Sequence, residues 1–418
     1  MQTFIPETTS RTAYGKEAEQ ILRSCVHCGF CNTTCPTYQL LGDELDGPRG
    51  RIYLIKQVLE GNTPSRSTQL HLDRCLTCRA CETTCPSGVQ YGRLLDIGRA
   101  LTEAQVSRAP IDRLFRRALR YVLPYTNRFR RLVQAGQGIR PLLPRRWRDE
   151  IPPRQSAAPA PVKNHERIML LLEGCVQPVL RPQINASATR VLDRLQILLM
   201  SVNNSGCCGA ISHHLGADQE AKSFMRRNID AWWPHVQNGA EAIVVTATGC
   251  TTMVKEYGHL LRDDPNYQHK AQRISELTRD LSEIVTTGNT SSWSRPLSIP
   301  ARVAFHSPCT LQHGLGLDGN VESLLTRLGF DLTHVPDGHL CCGSAGTYSL
   351  LQRDLSRQLR DNKLAALQAG QPQQIITANI GCLTHLMPGA KVPVGHWIEL
   401  VDSVSEPTHY PVHSTVSR

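Results

Sequence analysis

No stretch of this 418-residue chain approaches the roughly 18 uninterrupted apolar residues needed to cross a bilayer, which excludes a membrane-spanning helix. The opening, MQTFIPETTSRTAYGKEAEQ, lacks the basic-then-apolar layout of a secretory leader, so the expected location is cytoplasmic. Cysteine is too sparse for a disulfide scaffold: sixteen residues are about 4% of the chain, against roughly 8–10% in short stapled domains, and a reducing compartment disfavours pairing. A Walker-A phosphate loop is also missing. The length rules out one small module and corresponds to two or three units of about 150 residues each. A mean hydropathy of -0.28 with 40% apolar residues fits a soluble globular protein.

What is present is unevenly placed. Eight cysteines fall within residues 25–85 and eight more are spread over 175–382, so the chain is bipartite. Charge is uneven too: residues 101–154 hold 13 arginines and no lysine against four acids, which accounts for nine of the ten net positive charges. The near-neutral remainder argues against a nucleic-acid surface over the whole protein. Pro152, Pro153, Pro159 and Pro161 then mark a linker that cannot continue a helix.

Cys25, Cys28, Cys31, Cys35 and Pro36 spell C-x2-C-x2-C-x3-C-P, and Cys75, Cys78, Cys81, Cys85 and Pro86 repeat it fifty residues later. Two-residue gaps let three thiolates converge on one cubane, while the proline turns the fourth thiolate toward the other cluster. This assigns Cys25, Cys28, Cys31 and Cys85 to one [4Fe-4S] centre and Cys35, Cys75, Cys78 and Cys81 to a second. Structural zinc, which takes paired knuckles, fits the triple spacing poorly. Ile52, Tyr53, Ile55, Val58 and Leu59 recur at helical spacing between the motifs, giving a mostly α-helical dicluster module. Arg49 and Arg51 either neutralise the anionic clusters or are solvated turn residues.

The back half is duplicated. Cys175 and Cys309 differ by 134, as do Cys207 and Cys341, and Cys208 and Cys342, while Cys250 and Cys382 differ by 132. In each copy an apolar run leads to a cysteine, then a helix, Cys-Cys-Gly, a long helix, and a strand ending in Gly-Cys. Such alternation implies duplicated α/β domains with parallel βαβ units whose sites lie at the carboxyl ends of the strands. Cys175, Cys207, Cys208 and Cys250 would gather at one edge, and Cys309, Cys341, Cys342 and Cys382 at its counterpart, as ligands of further clusters or as buried structural cysteines. Gly209 and Gly343 supply the backbone freedom to aim adjacent thiols at one pocket.

The segments LRSCVHCGFCNTTCPTYQLLGDELDGPRGRIYLIKQVLEG, LDRCLTCRACETTCPSGV, NIDAWWP, HLCCGSAGTYSL and RQLRDNKLAALQAG carry a resemblance spanning about Ile21 to Asp402. The chain resembles the iron-sulfur subunits of bacterial glycolate oxidase, which join a dicluster ferredoxin domain to two CCG cysteine-rich domains. The resemblance implies an FAD-bearing partner that oxidises glycolate, and also D-lactate, and passes electrons through this chain toward a quinone or other acceptor. Relatives sharing the CCG signature imply two alternatives: a heterodisulfide-reductase-like catalyst, or the iron-sulfur subunit of a lactate or glycerol-3-phosphate dehydrogenase. The disulfide-reducing relatives close each CCG motif with C-x-x-C; here the last position is Met253 in one copy and His385 in the other, which counts against disulfide reduction. His385 is either a substitute ligand or a hydrogen-bonded capping residue.

Gly314, Gly316 and Gly319 spell G-x-G-x-x-G, but HSPCTLQH separates them from the preceding strand, so no dinucleotide site is expected. Clusters carry single electrons, and no acid–base constellation for a hydroxy acid is visible, so neither flavin, NAD nor a catalytic residue is expected on this chain. Ile111, Leu114, Phe115, Ala118 and Val122 form one helical face among Arg113, Arg116, Arg117 and Arg120, ended by Pro124. This is either ordinary core packing with a solvated face, or a face that docks on anionic lipid, as a peripheral membrane contact, or on an acidic partner surface. The resulting division is a helical ferredoxin-type domain (16–100), an Arg-rich segment and linker (101–164), a first cysteine-rich domain (165–290) and a second (300–402), followed by a polar, flexible tail.

Overall fold

In the computed structural model, helix follows helix over the first 140 residues. The structure describes residues 1–142, 144, 151–159, 163–296 and 298–404; Pro161, Arg145, Arg146, Arg148 and the tail from 405 onward lie outside the described residues. Helices α1 (Ala13–Ser24), α2 (Pro48–Leu59), α3 (Arg66–Asp73) and α4 (Tyr91–Gln105) enclose a core of Leu22, Ile52, Ile55, Leu59, Leu72, Leu94 and Leu95. Each such side chain contributes about 1.5–3 kcal/mol on burial. Pro48 starts α2 at its first turn, where a missing N–H costs nothing. Tyr53 departs from the expected apolar face and is exposed. Gly98 lets α4 approach α2 closely, since a Cβ there would lie 2.5 Å from Ile55.

Helix α5 (Pro110–Val122) and helix α6 (Thr126–Ile139) come next. Their arrangement inverts the core-packing reading. Arg116 and Leu119 face the protein, whereas Ile111, Leu114, Phe115 and Ala118 point outward and Val122 is half-buried. Arg108 and Arg116 hold the segment down by pairing with Asp73 at 2.6 and 3.0 Å, and Arg120 pairs with Glu220 of the first repeat at 2.9 Å.

The first repeat runs β1 (Arg167–Leu172), α7 (Pro182–Arg194), β2 (Ile197–Ser201), α8 (Asp218–Gln237), β3 (Ala242–Val245), α9 (Thr248–Lys255), β4 (Thr278–Asp280) and α10 (Leu281–Thr287). The second matches it: β5 (Arg302–His306), α11 (Asn320–Arg327), β6 (Asp331–Leu332), α12 (Arg353–Gln368), β7 (Gln374–Thr377), α13 (Ile380–Leu386), β8 (Val394–His396) and α14 (Trp397–Val404). The sheets are four-stranded and wholly parallel, with orders β2-β1-β3-β4 and β6-β5-β7-β8. Their strands are buried apolar runs, as a sheet covered on both faces requires.

Two details differ from the sequence reading. Strands β3 and β7 end before Gly-Cys, so Cys250 and Cys382 are the third residues of α9 and α13. A fourth strand, only three residues long, follows in each copy and ends in a buried residue, Asp280 or His396, that caps the next helix. Three residues are too few for an alternating or apolar pattern to register.

The two repeats share a core. Residues of both, from Met169 to Val404, form one buried cluster. Helix α7 packs on α14 and, reciprocally, α10 packs on α11. Arg190 and Arg194 of α7 clasp Asp402 of α14 at 2.5 and 3.0 Å.

Candidate metal centres

The two cysteine loops of the helical domain have the same shape. His27 and Gly29 in the first, and Thr77 and Arg79 at the matching positions of the second, have left-handed backbone with φ of 62°, 88°, 53° and 61°. Such alternation curls the chain around a concavity into which amides and side chains converge. Cys35 then precedes the Pro36-initiated helix as its N-cap, which directs its sulfur away from its own loop.

Cys25, Cys28, Cys31 and Cys85 line one cavity with Val26, Ile52, Val89 and Tyr91; Cys81 also reaches its wall. Cys35, Cys75, Cys78 and Cys81 line the other with Pro36, Thr37, Arg51 and Tyr91. No carboxylate lines either cavity among the described residues. Burial, followed by the nearby Cys25, pushes Cys31 up to about 11. Burial and then Cys309 raise Cys78, and burial and then Cys78 raise Cys81. Thiolates crowded so tightly in an apolar wall are tolerated only against a cation, so the donor set fits iron with sulfide.

Arg49 and Arg51 have different fates. Arg49 is a half-exposed partner of Glu44 at 2.6 Å. Arg51 is 1% exposed, donates to the His71 carbonyl at 2.7 Å and to Thr37 at 3.2 Å, and stands 4.0 Å from Cys35 Sγ.

In the first repeat, Cys175 contacts Cys207, Cys207 contacts Cys208, and Cys208 contacts Cys250, all within hydrogen-bond reach. Phe224, Tyr125, Val176 and Ile211 close over Cys175 and Cys207. The second repeat copies the chain of sulfurs: Cys309 lies 3.8 Å from Cys341, which touches Cys342, which touches Cys382. Gly209 and Gly343 take φ of 92° and 87°, and a Cβ on Gly343 would stand 2.7 Å from the Ser356 carbonyl.

The expected fifth positions do not join these sets. Met253 is buried among apolar side chains, and His385 Nε2 lies 3.2 Å from both the hydroxyl and the carbonyl oxygen of Ser356. Gly314 ends a single turn and Gly319 caps α11 in the left-handed conformation, well after the end of β5.

The second repeat also adjoins the helical domain at its sulfur pocket. Leu76, Cys78, Cys309, Cys341, Tyr348 and Leu359 pack as one cluster. Thr83 meets His313 of the second repeat at 2.9 Å, and Arg79 pairs with Glu256 of the first repeat at 3.2 Å.

The family of 4Fe-4S dicluster domains matches residues 21–89, and the cysteine-rich domain family matches twice, at 169–255 and 303–387. This defines an iron–sulfur protein in which a dicluster domain precedes paired cysteine-rich domains. Over 412 residues the chain is 55% identical to the glycolate oxidase iron-sulfur subunit of Escherichia coli, covering 97% of this chain and 100% of that one. The chain belongs to the family of glycolate oxidase iron-sulfur subunits. It is also 29% identical to a probable glycolate oxidase iron-sulfur subunit of Bacillus subtilis, over 88% of this chain and 89% of that one. Lactate utilization protein A of Bacillus velezensis is 31% identical over 51% of this chain and 87% of its own. A crystal structure of a hypothetical protein from Helicobacter pylori shares the fold, with a TM-score of 0.55 at 10% identity, covering 97% of this chain and 74% of that one. Among the described residues no helix is long and apolar enough to cross a membrane.

Proposed function

We infer that this chain is the electron-carrying subunit of a glycolate-oxidising complex, receiving electrons from an FAD-bearing partner and handing them toward a quinone or other acceptor. The full-length 55% identity to the Escherichia coli subunit carries the reading. Cys25, Cys28, Cys31 and Cys85 would hold one [4Fe-4S] cluster and Cys35, Cys75, Cys78 and Cys81 the second, each supplying one-electron chemistry. The cysteines of the two CCG pockets would hold further iron–sulfur groups.

The protein's own residues organise the route. Cys28 is exposed beside Val26 and Phe30, which makes the first cavity the entrance, and Cys78 packs beside Cys309, which makes the second repeat the next station. Arg51 offsets the negative charge of the middle site, and the surrounding leucines exclude water. The test is an anaerobic preparation assayed alone and with its flavin partners. Glycolate should be turned over only by the complex, with iron and sulfide exceeding eight of each per chain; turnover by the isolated chain, or a zinc-containing colourless protein, would overturn the reading.

The same subunit would dock on the surface of an anionic bilayer through α5 and α6. Ile111, Leu114 and Leu142 are 80%, 67% and 86% exposed, and Arg113, Arg117 and Arg131 beside them make no ion pair among the described residues. An outward apolar stripe flanked by arginines matches lipid chains beneath anionic head groups.

A further inference from the structure

We propose that His306 is a metal ligand of the second cysteine-rich pocket, its Nε2 joining the sulfurs of Cys309, Cys341, Cys342 and Cys382, so that the two CCG sites differ in kind. The inference rests on the reading that the CCG pockets hold iron–sulfur groups.

His306 ends β5 and is 3% exposed. Thr377 Oγ1, at the end of the neighbouring β7, lies 2.9 Å from its Nδ1, which fixes the ring. Nε2 has no hydrogen-bond partner among the described residues. One ring nitrogen of His306 and the sulfurs of Cys342 and Cys382 lie within 4.8 Å of one another. A buried imidazole nitrogen left unpaired carries an uncompensated desolvation cost that a metal bond removes. The Thr377 contact is the kind that orients a ligating histidine, since an Nδ1–H donated to the hydroxyl leaves Nε2 as the lone-pair donor.

The duplication supplies an internal control. At the matching positions of the first repeat stand Leu172 and Val245, both fully buried and apolar. The second copy therefore carries a hydrogen-bonded polar pair at the floor of its sulfur pocket where the first has hydrocarbon. A third difference points the same way. Lys363, buried beside the second pocket and donating to the carbonyls of Asp337 and Gly338, stands where the first copy has the neutral Asn228, in the register that sets Ser356 against Gly343 and Ala221 against Gly209. A nearby ammonium offsets the negative charge of the thiolates and raises reduction potential, whereas a neutral nitrogen added to the same four thiolates leaves that charge unchanged. The copy that adjoins Cys78 is then the stronger electron acceptor of the two.

The test uses the full chain purified without oxygen, with histidine labelled by 15N. Wild type should contain more than eight irons and show a histidine nitrogen hyperfine coupling in pulsed EPR of the reduced protein. H306L, which copies the first repeat, should lose that coupling and shift one midpoint while the ferredoxin signals stay. T377V, which frees the ring, should change the coupling and keeps the test alive if H306L misfolds. About eight irons in wild type would overturn the proposal by emptying the pocket. Extra iron with no histidine coupling, or identical spectra and midpoints in both variants, would overturn it with the pocket reading intact.

Discussion

Arg51 Nη2 and Asp46 Oδ1 stand 3.4 Å apart with both side chains shut off from solvent, and Asp46 also receives Arg74 at 2.8 Å and His71 at 3.0 Å. Removing Arg51 leaves Asp46 its Arg74 and His71 partners but strips the buried His71 carbonyl of its donor. R51M should therefore destabilise the chain by about 1–3 kcal/mol and lower the potential of the group nearest Cys35. R49M, at the half-exposed Glu44 pair, should change stability by less than about 1 kcal/mol. Thermal unfolding and EPR redox titration of both variants check this; equal effects would refute the distinction.

The proposed exchange of the fourth ligand between the two loops makes a sharper forecast. C85A should remove the cluster of Cys25, Cys28 and Cys31, and C35A should remove that of Cys75, Cys78 and Cys81. Each loss should be about four irons. EPR of the two variants would show complementary spectra. If C35A instead silenced the signal of the first loop, each motif would be self-contained.

His213 lies between Asp96 of α4 at 3.4 Å and Asp218 of α8 at 3.2 Å, with His214 alongside. Burial works to discharge it, but Asp96 and Asp218 outweigh burial and hold it up to about 10, against 6.5 for a free imidazole. A raised folded pKa stabilises fully below about pH 6.5, and that contribution is lost as pH rises toward 10. Melting temperatures of wild type should fall across pH 7–10 more steeply than those of H213Q. Parallel curves would show that the contact between the helical domain and the first repeat does not titrate.

Vesicle binding checks the docking proposed for the outward apolar stripe of α5. The double variant I111E/L114E should bind phosphatidylserine-containing vesicles at least about tenfold more weakly, about 1.4 kcal/mol, while its cluster spectra stay unchanged. Added salt should weaken wild-type binding through the arginines. Equal sedimentation of wild type and variant would instead assign the stripe to a protein partner.

Spacing alone made the ferredoxin cysteines legible, because a C-x2-C-x2-C-x3-C-P run dictates its own loop and Pro36 dictates the turn after it. Offsets of 134 and 132 exposed the repeats for the same reason. Periodicity located the stripe of α5 but could not say which way it faces, since Ile111 and Leu114 look identical to core residues until Asp73 claims Arg116. His306 went unnoticed because a single histidine at a strand end carries no pattern. A residue-by-residue comparison of the copies, setting Leu172 against His306 and Val245 against Thr377, would have found it. The packing of α7 on α14 depends on helices more than 200 positions apart, which no local window sees.

The reciprocal embrace of α7 with α14 and α11 with α10 has a consequence for lineage. A protein holding one copy would present two greasy helix flanks that an identical neighbour covers, as in an isologous dimer. Joining the copies in one polypeptide makes that encounter independent of concentration and, once the halves are no longer compelled to be alike, frees each to diverge.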